Sequence, residues 1–329
     1  MFLNNGLQAA QQMNEYGQKG IPFFFVLDFE LKKPFVCPLK EIEKENIAYY
    51  CNPNHYFLPW QLTPKKKFEL QKIPRPFAEY QQKFEKIQSH IQRGDTYLLN
   101  LSVPTPLNTN ASLQEIFMHS QARYKLYFKD QFVCFSPEIF VQIQQQQIAS
   151  YPMKGTIDAS LPNALQQIQE NEKEIAEHYT IVDLIRNDLS RVAQKVRVEK
   201  FRYIEKIITH QKTLLQVSSK IVGELSPNYP SQIGTLLLQL LPAGSISGAP
   251  KKKTVEIITQ TEQYERGYYT GIFGYFDGIS LDSAVMIRFI EKQPDQTLLF
   301  KSGGGITYHS DATQEYQEMI DKIYFAIPQ

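Results

Sequence analysis

Tyr151-Pro152-Met153-Lys154-Gly155-Thr156 follows two short apolar stretches, Ile139-Phe140-Val141 and Ile148. Proline fixes its own φ and offers no backbone donor, so Pro152 is expected to end a regular strand. Gly155 permits a sharp turn, or close approach of the backbone to a ligand. Lys154 then projects from a stiff corner. A lysine held in this way and partly buried gives up its charge readily and can act as an amine nucleophile. The competing reading is a solvated lysine at a strand end, the usual situation of this residue type. The flanking sequence decides between the two.

Just upstream, residues 139–143 and 148–151 read as a hairpin with Gln144 to Gln147 as its polar turn. Ser136-Pro137-Glu138 breaks the preceding strand, which leaves Glu138 at a turn beside apolar strands. Downstream, residues 163–193 read as mostly helical. Glu174 and Glu177 stand three apart there and share a face. Glu315 and Glu318 repeat that spacing in a second helix, expected to start near Asp311 or Thr313. Either pair alone reads as a solvated helix face. Together they could meet around a hard cation such as magnesium, which takes carboxylates, waters and anionic substrate oxygens.

Residues 244–250 form a Gly/Ser-rich stretch leading into a helix at Pro250, where exposed amides suit an anion. Gly248 is followed by Ala249-Pro250, so the phosphate-loop pattern is absent and a nucleotide site is rejected. Residues 267–276 and 283–290 read as paired strands turning at Asp277-Gly278. Arg288, on a buried strand in this reading, requires an acidic partner or a ligand. Gly303-Gly304-Gly305 follows.

The remaining chain is plainer. Residues 77–93 read as a helix stopped at Gly94-Asp95, and residues 97–102 as a strand. Ser112 and Glu115 match a capping box. Residues 213–222 read as a strand. Residues 231–241 read as a helix capped by Ser231. Residues 21–27 form an apolar run of strand length, and Pro64 to Lys67 a basic linker. Residues 1–73 carry the least information. At 329 residues the chain can bury a sizeable core. Its net charge of +1 gives no electrostatic case for nucleic acid or membrane at whole-chain level. The cysteines, Cys37, Cys51 and Cys134, have no paired metal spacing and read as reduced thiols of a cytoplasmic protein. The polar N-terminus does not read as a signal peptide, and no apolar run approaches the ~18 residues that span a bilayer.

Lys154-Gly155-Thr156, Ile181-Val182-Asp183-Leu184-Ile185-Arg186-Asn187-Asp188-Leu189, Gly244-Ser245-Ile246-Ser247-Gly248-Ala249-Pro250-Lys251, Gly303-Gly304-Gly305-Ile306 and Glu315-Tyr316-Gln317-Glu318 stand in one order. In that order and spacing they resemble the chorismate-binding enzymes, from about Pro74 to near the C-terminus. Lysine before Gly-Thr is similar to the aminodeoxychorismate synthase branch; anthranilate synthases carry alanine there.

The resemblance implies a two-lobed α/β (α+β) domain with two large, mainly antiparallel sheets packed together and helices outside. Residues 1–73 are then a shortened N-terminal part of one domain spanning 1–329, without the tryptophan site of anthranilate synthases. It implies conversion of chorismate and ammonia to 4-amino-4-deoxychorismate, a precursor of 4-aminobenzoate and folate. Lys154 would be the nucleophile at C2 and Glu138 the general acid. Mg2+ would be held by Glu177 and Glu318, with Glu174 and Glu315 in support. Tyr269 and Arg288 would take a chorismate carboxylate, and Gly155, Thr156, Gly303, Gly304 and Gly305 would complete the cradle. Ammonia would come from a glutaminase subunit. Two positions depart from the family. Leu98 stands where isochorismate and salicylate synthases have a water-activating lysine and aminating members commonly a glutamine. Gln216 stands where many members have a histidine that contacts the substrate. Anthranilate synthase component I and a non-catalytic chorismate-binding subunit remain open alternatives.

Overall fold

The expected hairpin is present as strands Ile139–Gln144 and Gln147–Ser150. Its two central residues, Gln145 and Gln146, take φ values of 49° and 65°. A two-residue hairpin turn demands this left-handed backbone to match the twist of its strands. The computed structural model describes residues 2–61, 67–208, 213–325 and 327. Most of the expected linker at Pro64 to Lys67 therefore lies outside the described residues.

Among these residues the hairpin belongs to a nine-stranded sheet. Its order is Met153–Asp158, Thr213–Glu224, Gln147–Ser150, Ile139–Gln144, Leu281–Val285, Ile272–Phe276, Phe23–Leu27 and Phe35–Pro38, with Gln194–Ile208 also paired to Thr213–Glu224. The second nine-stranded sheet runs Gly248–Ala249, Leu98–Asn108, Leu298–Ile306, Phe289–Lys292, Phe132–Ser136, Tyr124–Phe128, Ile47–Asn52 and His55–Phe57, with Gln71–Lys72 on Leu98–Asn108. The two large antiparallel sheets and the helices outside them match the architecture expected from the resemblance.

The sheets pack face to face through aromatic residues. Phe24, Val26, Phe273 and Tyr275 of the first sheet meet Tyr49, Tyr124, Phe128 and Phe132 of the second. The rings of Phe24 and Tyr49 stack 4.5 Å apart. Such faces read as continuous apolar runs, which is why Phe23–Leu27 is buried at every position.

Two capped helices bear on the site. Asn171 accepts a hydrogen bond from the Glu174 amide and starts the Glu172–Ser190 helix. Asp311 accepts from the amides of Thr313 and Gln314 and starts Ala312–Asp321. A capping side chain satisfies amides that have no partner within the helix, so it fixes where the helix begins and which face each later glutamate occupies.

The helix Phe2–Gln18 was not legible in the sequence. It packs on Ile233–Leu240, where a Cβ added to Gly234 would lie 2.2 Å from the Ala10 carbonyl oxygen. Ser231 sits in the short 3-10 turn Tyr229–Gln232 and does not cap the following helix, which begins at Ile233.

Candidate active site

Pro152 interrupts the chain between two strands and does not end the sheet there. Pairing resumes at once with Met153–Asp158 on Thr213–Glu224. The register shifts by one residue between Met153 and Thr156, a bulge with Gly155 at φ +79°. A bulge adds one unpaired residue and re-aims its neighbours. The corner expected at Lys154 is thus a bulge inside an edge strand. It sends Lys154 into a cleft of about 820 Å³ lined by both sheets.

Lys154 Nζ donates to Glu177 Oε2 at 2.7 Å. It also lies 3.6 Å from where a Cβ on Gly305 would be. The side chains of Lys154 and Glu177 are 28% and 10% exposed. Burial works to lower the lysine pKa, but the charges of Glu177, Glu174 and Glu318 outweigh it and hold the pKa above its usual value. The expectation that burial alone would free Lys154 of its proton is therefore corrected. A carboxylate in contact favours the ammonium more than partial desolvation disfavours it.

Glu138 lines the same cleft. Burial raises its pKa above the ordinary glutamate range, against the lowering effects of the Ser245 hydroxyl, Lys154, Arg288 and Lys322. Ser245 donates directly to Glu138 Oε1. Ser245 belongs to a short helix, Gly244–Ser247, in the stretch read from sequence as a loop. That segment is pinned from behind by Lys251, which bridges Asp188 at 2.9 Å and donates to the Leu240 carbonyl. Asp188, in the Ile181 to Leu189 stretch that carries the resemblance, supplies one end of this bridge.

Arg288 corrects a second expectation. It is not on a strand: it sits between Leu281–Val285 and Phe289–Lys292 at φ 53°. Its guanidinium lies over the Tyr324 ring, 5.5 Å from the centroid, and Nε reaches the Tyr324 hydroxyl at 3.4 Å. It faces the cleft with Tyr269, Thr156, Gly155, Gly303, Gly304 and Gly305. The residues expected to form a carboxylate cradle thus line one cleft, although they are distant in sequence. Leu98 and Gln216, the two departures, line it as well. Gln216 pairs in register with Thr156.

Lys322 was missed in the sequence. It donates to the Gly303 carbonyl at 2.9 Å and bridges Glu318 at 2.7 Å. Its position four residues after Glu318 on a helix was the available signal. Ser245 had no comparable local signal, since its partner lies 107 residues away.

Among the described residues, no group of three Asp, Glu, His or Cys side chains is arranged to hold a metal ion. Glu177 contacts Lys154, Glu318 contacts Lys322, and Glu315 accepts from Ser310. Glu174 Oε2 lies 3.4 Å from the Cβ point of Gly155, and Glu315 Oε2 lies 3.3 Å from that of Gly304. The four carboxylates nevertheless fit a hard divalent cation by donor type. Three of them, on two helices, act on the single charge of Lys154. Here Lys154 and Lys322 supply the positive charge between the two glutamate faces.

No helix among the described residues is long and apolar enough to cross a membrane. The three cysteines are free and buried.

Comparison with known proteins follows the same lines. The chorismate binding enzyme family matches residues 59–328. An uncharacterised PabA-like protein of Pasteurella multocida is 54% identical over 318 residues, covering 96% of this chain and 98% of the relative. Aminodeoxychorismate synthase component 1 of Bacillus subtilis is 33% identical over 269 residues, covering 76% of this chain and 55% of that protein. Among solved structures, MenF, the menaquinone-specific isochorismate synthase of Escherichia coli, superposes with a TM-score of 0.72 at 17% identity. That match covers 97% of this chain and 81% of MenF, and it speaks for the fold alone.

Proposed function

This chain belongs to the family of chorismate-binding enzymes, and we propose that it is the component I of an aminodeoxychorismate synthase, converting chorismate and ammonia to 4-amino-4-deoxychorismate. The observation that carries this reading is Lys154, a lysine amine brought into the cleft between Glu177 and the glycine run. Leu98 in the cleft wall supports it, since leucine cannot activate water.

In the proposed reaction Arg288 and Tyr269 take one substrate carboxylate, with backbone amides of the glycine run and the bulge around the rest. Arginine and amides suit an anion because their donors are fixed and need no reorganisation. Lys154 first gives up its ammonium proton to solvent and then, as the neutral amine, attacks C2 of the ring. The N–C2 bond forms, the two ring double bonds shift, and the C4–O bond breaks. Glu138 protonates the departing oxygen, which leaves as water; its raised pKa keeps the proton available for this step. Ammonia then adds at C4, the double bonds shift back, and the C2–N bond breaks to release the lysine. The proton shed by the incoming ammonia restores Glu138. Covalent catalysis divides one difficult displacement into two easier ones.

Glu177 and Glu318, with Glu174 and Glu315 in support, would hold magnesium, which would supply positive charge for an anionic substrate group and weaken the carboxylate hold on the Lys154 proton. The ammonia donor would be a separate glutaminase subunit, and the product would serve 4-aminobenzoate and folate synthesis in the cytoplasm.

The test is incubation of the purified chain with chorismate, magnesium and an ammonium salt, beside Lys154→Ala, with the product identified by mass and retention. The expected result is a 4-amino product that the variant does not form. A 2-amino aromatic product would move the chain to the anthranilate branch. Binding of chorismate without turnover would make it a binding subunit.

A further inference from the structure

His178 follows Glu177 on the Glu172–Ser190 helix, and the catalytic reading makes no use of it. Successive helix residues point about 100° apart, so Glu177 can face Lys154 while His178 faces the sheet. The histidine is 0% exposed. Its Nε2 lies 2.7 Å from Ser219 Oγ. Ser219 also accepts the Arg202 amide on Oγ at 2.9 Å, and its own amide donates to the Pro152 carbonyl at 3.0 Å. Pro152 is two residues before Lys154. Ser219 thus joins the helix carrying Glu174 and Glu177, the strand carrying Arg202, and the chain entering the bulge that carries Lys154.

The neighbours of His178 on the inward helix face, Ile181, Val182 and Ile185, are apolar core residues. Apolar contacts have no direction and tolerate sliding or rotation. A hydrogen bond has a length and an angle. We propose that His178 is a positioning residue that, through Ser219, sets the contact between Glu177 and Lys154. Among the described residues its Nδ1 has no hydrogen-bond partner, and the bond to Ser219 is the ring's polar anchor there. Phe201 meets the ring edge-on at 5.8 Å, a contact that a phenylalanine at position 178 would preserve.

The test compares wild type, His178→Phe and His178→Gln by the rate at which a small amine-reactive reagent labels Lys154 at one fixed pH, read by peptide mass spectrometry against exposed Lys252. Phenylalanine keeps the ring and loses the bond; glutamine can place an N–H near the Nε2 position. The Phe variant is expected to label at Lys154 several-fold faster than wild type, the Gln variant at the wild-type rate, and Lys252 equally in all three. Wild-type labelling of Lys154 in a folded Phe variant would overturn the proposal, as would fast labelling in the Gln variant. If the Phe variant does not fold, His178→Asn, whose amide stops short of Ser219, takes its place with the same expectation. With chorismate as substrate, the Phe or Asn variant is expected to lose kcat with KM unchanged. A wild type that does not turn over chorismate would refute the proposed function and leave the labelling comparison to decide the role of His178.

Discussion

Two carboxyl groups in the site carry opposite assignments because of their immediate contacts. Glu177 touches the Lys154 amine at 2.7 Å, whereas Glu138 is half-buried and accepts from a serine hydroxyl. Burial raises the Glu138 pKa, so the carboxyl keeps its proton to higher pH than a free glutamate would. A reaction that needs this proton declines as pH rises through that raised pKa. Ser245 works in the lowering direction, so Ser245→Ala is expected to move the alkaline limb of kcat to higher pH. Glu138→Gln is expected to lower kcat by roughly 10²–10⁴, the usual contribution of a general acid, with KM little changed. Steady-state kinetics across pH would read both. A limb unmoved in Ser245→Ala would assign it to another group. Glu138 was visible in the sequence as a carboxylate at a turn. The rise of its pKa was not, because the burial that causes it and the groups at 245, 154, 288 and 322 that oppose it are brought there by the fold.

At the scale of elements, the caps and the buried Lys251–Asp188 bridge hold the working parts in register. Asn171 accepts the Glu174 amide, so Asn171→Ala is expected to cost about 1 kcal/mol of unfolding free energy in urea. Asp188 and Lys251 are 10% and 14% exposed in their side chains. Removing one partner strands the other charge, and Asp188→Ala is expected to cost about 3–5 kcal/mol. Gly244, whose added Cβ would lie 2.9 Å from Asp188 Oδ2, ties that loss to the segment that carries Ser245. A loss below about 1 kcal/mol would place the bridge among surface pairs. The helices Phe77–Gln92 and Ala312–Asp321 were legible from periodic apolar positions and a capping residue. The Phe2–Gln18 helix was not: its buried positions Gly6, Ala9, Ala10, Met13 and Gly17 recur at helical spacing, but mostly as small residues that do not stand out as an apolar stripe.

At the scale of the whole molecule, the cleft exists only because two sheets contribute to it. Lys154, Gly155, Thr156 and Gln216 come from the first, and the Gly303-Gly304-Gly305 run comes from the second. Glu318 lines this cleft, and both it and Glu177 are paired with lysines, so magnesium is expected to compete with internal charge pairs. Turnover with ammonium is expected to vanish on chelation and to return with added magnesium in a saturable way. Full activity after exhaustive chelation would remove the ion from the mechanism. Five separated stretches, through their resemblance to the chorismate-binding enzymes, implied the family and the antiparallel two-sheet architecture, whereas the pattern of turns and periodicity by itself reads only as mixed α and β. Tertiary structure alone decided that Lys154 sits in a bulge where neighbouring carboxylates raise its pKa, that Arg288 stands off-strand over Tyr324, and that Ser245 and Lys322 line the cleft. The physical reason is range: turns, caps and periodicity act over a few residues of chain, whereas the charge, burial and hydrogen bonds that set a carboxyl's or an amine's proton come from whichever elements the fold brings within a few ångströms.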